Sequence, residues 1–155
     1  MKKFENIGLG GTFDRLHPGH TLFLDIAAYF GHHVHVGLIS SSYLNKTQKK
    51  HFEIIQNYKI RQEAVESFLS KRNAQCQITK IDSPGMDQKL ASDAKLGALV
   101  VSQETYGGAN AINHLRISKG RTKLTIIIIP RVLRANGTLE SSTRLRGEEK
   151  GFFDH

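Results

Sequence analysis

The apolar positions of this chain change their spacing repeatedly, and the changes mark out its elements. "FENIGLG" near the start reads as a strand. In "TLFLDIAAYFG", Leu22, Phe23, Ile26, Ala27 and Phe30 fall on one helical face, and Gly31 supplies a stop. "HVHVGLIS" alternates Val34, Val36 and Leu38 with the period of a strand. Residues 52–71 return to helical spacing through Ile55, Tyr58, Ala64, Val65, Phe68 and Leu69. A weaker strand follows in "QCQITKI", then a short helix in "MDQKLASDAKLG" closed by Gly97, then a buried strand in "ALVVS". "ANAINHLRISKG" is a helix ending at Gly120, and "LTIIIIP" is expected to be a strand buried on both faces.

Strands that alternate with helices, several of them continuous β-branched runs, predict an α/β fold with a parallel sheet. Five strands fit. No repeat, low-complexity segment or linker interrupts the pattern, so residues 1–155 are expected to form one doubly wound, Rossmann-like domain. Ligands of such sheets bind beyond the carboxyl ends of the strands, at the switch point. The polar clusters at 11–20, 40–50, 102–108 and 140–146 fall at those ends.

Composition narrows the function. The chain has 155 residues, 39% of them hydrophobic and 23% charged, enough for a true core and unlike a disordered segment. No apolar run approaches the roughly 20 residues of a membrane span. The opening "MKKFENIGLGG" is too short in apolar residues for a signal peptide, so a cytoplasmic protein without a membrane partner is expected. Cys76 stands alone, which excludes an internal disulfide and a cysteine zinc site and reads as a small core residue. A formal charge of +8 calls for an anionic partner, nucleic acid or a phosphorylated small molecule. The basic residues are dispersed, with no aromatic-laced tract, which favours small anions over nucleic acid.

The stretch "GGTFDRLHPGH", residues 10–20, carries the most chemistry. It is neither a Walker loop, lacking Gly-Lys-Ser/Thr, nor a dinucleotide fingerprint, since Phe13 stands where that motif needs glycine. Gly10 and Gly11 let the backbone approach a ligand, and nearby N–H groups can point at anionic oxygens. Pro18 suits the first turn of a helix. His17 and His20 then lie three residues apart at a helix N-terminus, where both can face a phosphate and donate to it as charge builds. Solvated surface histidines are the alternative, and a metal pair lacks an evident third ligand. His32, His33, His35 and His114 are assigned to fold or surface.

Gly11, Thr12, Phe13 and Asp14 followed by His17, Gly19 and His20 resemble the first signature of the nucleotidyltransferase superfamily. Its second signature, Ser-Ser-Thr-x-x-Arg, is matched by Ser141, Ser142, Thr143 and Arg146. Those hydroxyls and helix-start N–H groups suit β- and γ-phosphates, although a simple helix cap would read the same. Between the two, Val100 to Thr105, the helix residues Ile112, Asn113 and Arg116, and Ser141 to Arg144 resemble the archaeal and eukaryotic branch of phosphopantetheine adenylyltransferase.

That resemblance implies transfer of AMP from ATP to 4′-phosphopantetheine, giving dephospho-coenzyme A and pyrophosphate, with Mg²⁺ bridging phosphate oxygens and few protein ligands to it. Dephospho-coenzyme A or coenzyme A would bind as product-like ligands. It assigns His20, His17 and Lys46 to catalysis. ATP would be held by Gly11, Thr12, Phe13, His20, Glu104, Ser141, Ser142, Thr143, Arg144 and Arg146, and the acceptor by Thr12, Lys46 and Arg61. Lys49 and Lys50 are rivals of Lys46, and a helix-surface charge is the alternative for Arg61. Related readings are nicotinamide-mononucleotide adenylyltransferase, glycerol-3-phosphate cytidylyltransferase, or a nucleotide-binding module without catalysis.

Overall fold

The protein is described by a computed structural model covering residues 2–46 and 55–130. In chain order the elements are β1 (Phe4–Gly11), α1 (Pro18–Phe30), β2 (Gly31–Ile39), α2 (Ser41–Lys46), α3 (Tyr58–Ser70), β3 (Gln75–Ile81), α4 (Met86–Ser92), β4 (Ala98–Ser102), α5 (Tyr106–Ser118) and β5 (Thr125–Ile129). The strands form one parallel sheet in the order β3-β2-β1-β4-β5. The chain winds outward from β1 to β3 and then returns to the other side of β1, so the switch point lies between β1 and β4.

Alternation along the strands assigns the two faces. Ile7, Leu9, Val34, Val36, Leu38 and Val100 join the α1 residues Phe23, Leu24 and Ala27 and the α3 residues Val65 and Leu69 in the larger core. Leu99, Val101 and Leu96 join Ala109 and Ile112 of α5 in a second core on the opposite face. Two layers of helices thus cover the sheet, and β4 is apolar on both of its faces.

Four expectations change in detail. Gly31 ends α1, but in extended backbone as the first residue of β2. It is glycine because a Cβ there would lie 2.2 Å from Ile7 Cγ2. The helix expected over 52–71 begins at Tyr58, since the Asn57 side chain caps it by accepting from Ile60 N at 2.9 Å. Residues 51–54 lie outside the described residues. α4 stops at Ser92 rather than Gly97, because the Asp93 carboxylate turns the chain by accepting from Lys95 N and Leu96 N. Among the described residues β5 is an edge strand with Ile128 46% exposed, rather than a strand buried on both faces. The six-residue α2 was not expected; Ser40 Oγ starts it by accepting from Tyr43 N at 3.0 Å.

Candidate active site

β1 delivers the chain to the switch point, and residues 12–17 turn it into α1. Phe13 and Arg15 both adopt left-handed backbone, each with φ near 50°, a conformation that non-glycine residues adopt at a cost. The turn is held from several sides. Phe13 is wholly buried, with its ring centroid 5.3 Å from that of His20. The Asp14 carboxylate accepts from Gln56 N at 2.9 Å and from the Arg15 guanidinium, while Arg15 N donates to Gln56 Oε1 at 3.0 Å.

His17 is the N-cap of α1, and Pro18 follows as its first residue. The Nδ1 of His17 accepts from Gly19 N at 3.0 Å and from His20 N at 3.4 Å. Those two amides therefore serve the imidazole, which refines the expectation that N–H groups here point at phosphate. With Nδ1 an acceptor, the neutral ring carries its proton on Nε2 and is a donor there. The His20 ring is buried and stacks on that of His17, with centroids 3.9 Å apart and planes 21° from parallel. The positive end of α1 lies under both rings. Thr12 is buried at the mouth of the turn, and its Oγ1 has no hydrogen-bond partner among the described residues. A buried hydroxyl in that condition costs about 1–3 kcal/mol, which a ligand oxygen would offset.

Arg61 departs from the helix-surface alternative. It is wholly buried, and its guanidinium donates to main chain beneath the site. It donates to Thr12 O at 2.9 Å, Ile39 O at 2.8 Å and Gln56 O at 2.8 Å, and reaches Ser41 Oγ at 3.4 Å. One side chain of α3 thereby ties the ends of β1 and β2 together beneath the site. Sequence reasoning missed this because the helical pattern marks only the apolar stripe.

The β4–α5 turn is built by Thr105, whose Oγ1 accepts from Ser102 N at 2.9 Å. Glu104 is exposed on that turn, beside the switch point. The Asn113 and Arg116 pair is structural. Asn113 exchanges two hydrogen bonds with the Leu124 backbone, and Arg116 donates to the carbonyls of Leu90, Asp93 and Thr122. Burial lowers the pKa of Arg116, with Arg121 adding to the effect and Asp93 opposing it. Lys46 closes α2, and its side chain is outside the described residues, as are Lys49, Lys50, Ser141, Ser142, Thr143, Arg144 and Arg146. His33 pairs with Glu5 at 3.3 Å, His35 Nε2 meets Asn6 Oδ1 at 2.8 Å, and His32 and His114 are exposed.

The family model described as cytidylyltransferase-like matches residues 9–148, from the end of β1 through the second signature. The phosphopantetheine adenylyltransferase of Methanopyrus kandleri is 35% identical over 148 residues, covering 96% of this chain and 92% of the relative. That of Pyrococcus horikoshii is 37% identical, covering 94% and 90%. The chain belongs to the phosphopantetheine adenylyltransferase family. A crystal structure of a protein of unknown function from Archaeoglobus fulgidus has a TM-score of 0.66 at 30% identity, covering 83% of this chain and 89% of its own. Pantothenate synthetase from Thermus thermophilus shares the fold alone, at 13% identity with a TM-score of 0.57, over 90% of this chain and 60% of its own. This phosphopantetheine adenylyltransferase family member is a nucleotidyltransferase, and its five strands form one parallel sheet.

Proposed function

We propose that this chain transfers the adenylyl group of ATP to the phosphate of 4′-phosphopantetheine, releasing pyrophosphate and giving dephospho-coenzyme A. The observation that carries the reading is the stacked His17–His20 pair at the start of α1, with the Thr12 hydroxyl beside it at the end of β1. An acceptor phosphate oxygen attacks the α-phosphorus of ATP, a new P–O bond forms, and the bond to the β-phosphate oxygen breaks with its electrons leaving on pyrophosphate. No proton need be removed from an ionised phosphate, so the protein supplies position and charge stabilisation rather than a base. His20 meets the charge that develops at the α-phosphate, and His17 donates from Nε2 while holding the helix start. Thr12 gives its hydroxyl to a phosphate oxygen.

Glu104, on the β4–α5 turn, is assigned to the nucleoside, and Ser141, Ser142, Thr143, Arg144 and Arg146 are assigned to the triphosphate. Lys46 is assigned to bridge the two substrates' phosphates. Among the described residues no three His, Cys, Asp or Glu side chains converge as a metal cage, and Asp14 is engaged by Gln56 and Arg15. Mg²⁺ would enter with the nucleotide and offset the charge of its phosphates. The reading takes residues 1–155 as one catalytic domain acting in the cytoplasm; no helix among the described residues is long and apolar enough to cross a membrane.

The test is pyrophosphate release with Mg²⁺, each nucleoside triphosphate and a panel of phosphate acceptors. ATP with 4′-phosphopantetheine should be the fastest pair. A preference for CTP, nicotinamide mononucleotide or glycerol 3-phosphate would overturn the assignment.

A further inference from the structure

The adenylyl-transfer site uses the carboxyl ends of the strands and leaves the opposite end of the sheet unused. There the parallel strands begin and the helices α1, α3, α4 and α5 end, so the connections into β1, β3, β4 and β5 share one face. Lys3 precedes β1, Lys71 precedes β3, Lys95 precedes β4, and Lys119, Arg121 and Lys123 precede β5. All of these side chains are exposed, and none is ion-paired among the described residues. The carboxylates at this end are already engaged: Glu5 with His33, Asp25 with Arg72, and Asp93 with the amides of Lys95 and Leu96.

Basic residues that are dispersed along the chain are thus gathered by the winding of the sheet. With neighbouring strands about 4.8 Å apart, the charges spread over roughly 20 Å from β3 to β5, room for several phosphates of an extended strand. Helix dipoles account for part of this. Lys71 and Lys119 are the C-cap residues of α3 and α5, where a cation offsets the negative helix end. Lys3, Lys95 and Lys123 lead into strands and cap no helix.

A hollow of about 380 Å³ adjoins this row where the ends of α1 and α3 meet, lined by Lys2, Asp25, Ala28, Tyr29, Arg72 and Asn73. Tyr29 is 57% exposed and is held edge to face against Phe30, with ring centroids 4.8 Å apart. The Arg72 guanidinium is fixed on the other side by Asp25 and by donating to Phe68 O at 2.9 Å. An exposed aromatic ring beside a hollow, next to a row of cations, is what a base and its neighbouring phosphates need. A lipid surface has nothing to place in the hollow, and an acidic peptide has nothing to stack on the ring.

We propose that the end of the sheet opposite the active site binds single-stranded nucleic acid, with a base on Tyr29 in the hollow and the phosphates running across Lys71, Lys3, Lys95 and Lys123. Fluorescence anisotropy with labelled oligo(U) and oligo(dT) of about 16 nucleotides tests it on the full chain. Wild type should bind at low salt, with log affinity falling linearly with log salt. Replacing Lys3, Lys95 and Lys123 together by Gln should flatten that slope by about 2, since each phosphate contact contributes roughly 0.7 for single strands. Tyr29→Ala should keep the slope but weaken strand binding about fivefold or more, and should leave binding to a duplex unchanged. Circular dichroism and urea unfolding check that these exposed substitutions leave the fold intact. A wild-type salt slope in the lysine variant overturns the proposal, and so does a Tyr29→Ala loss that is the same for strand and duplex. Wild type that binds neither oligonucleotide at low salt overturns it as well; co-sedimentation with phosphatidylserine vesicles in that case would give the face to a membrane surface instead.

Discussion

His17 serves the backbone and the substrates with different atoms of one ring. Its Nδ1 caps α1 while Nε2 remains a donor, so an alanine there removes two functions at once. His17→Ala should lose about 1 kcal/mol of stability, the usual cost of an N-cap, together with ATP affinity and kcat. His17→Asn restores a capping oxygen without the imidazole, so urea unfolding should return to wild type while kcat/KM stays low. His20 makes no such cap. His20→Ala should leave ATP affinity nearly intact and cut kcat by about 10²–10³, the cost of one transition-state donor. A folded His20→Ala enzyme that keeps most of its kcat would refute the role. Cys76 is the inert counterpart. Burial, with Glu66 adding to it, pushes its thiol up to about 11, so roughly one molecule in a thousand is thiolate at pH 8. Its reaction with a disulfide reagent should run far slower in the native protein than in urea.

At the scale of elements, the site depends on how the ends of neighbouring strands are held. Arg61 reaches from α3 to the carbonyls of Thr12, Ile39 and Gln56, which belong to three separate segments, the turn after β1, the end of β2 and the loop before α3. Arg61→Leu strips the donors from all three and should cost at least about 3 kcal/mol in urea unfolding. Arg61→Lys carries the charge but lacks the planar fork, so it should fall between the two in stability and lower kcat with the turn less well held. Equal stability for Arg61→Lys and wild type would show that the planar fork does not hold the turn. The sequence exposes the helix that carries Arg61 through Val65, Phe68 and Leu69, yet hides its target, since carbonyl partners leave no trace in spacing. Asn113 and Arg116 teach the same lesson. They stand out as a motif, and their work is to pin α5 to Leu124, Leu90 and Asp93 rather than to touch a ligand.

Across the whole molecule, the parallel sheet was legible because β-branched runs and helical stripes alternate, and the switch point followed from where polar clusters interrupt them. The ends of elements were less so. They depend on single side chains, Asn57 and Asp93, whose capping competes with the apolar period, and on whether a strand such as β5 has a neighbour. The two signatures stand at opposite ends of the chain, and the sheet's winding gives the first a fixed place beside β4. Arg146 belongs to the second signature and Arg144 lies within it; both are outside the described residues, so their role is open to direct test. If the C-terminal segment closes on the triphosphate, each arginine contributes a charge-assisted contact of about 1.5–3 kcal/mol. Arg144→Ala and Arg146→Ala should then lower kcat/KM for ATP by roughly tenfold to a hundredfold, mainly through KM. The KM for 4′-phosphopantetheine should change little, and the stability of the sheet should not change at all. The loss should shrink as salt rises, because screening weakens in wild type the same attraction the variants lack. Variants with wild-type ATP kinetics at low salt would make the Ser141–Arg146 segment a helix cap and leave the triphosphate to the His17–His20 turn.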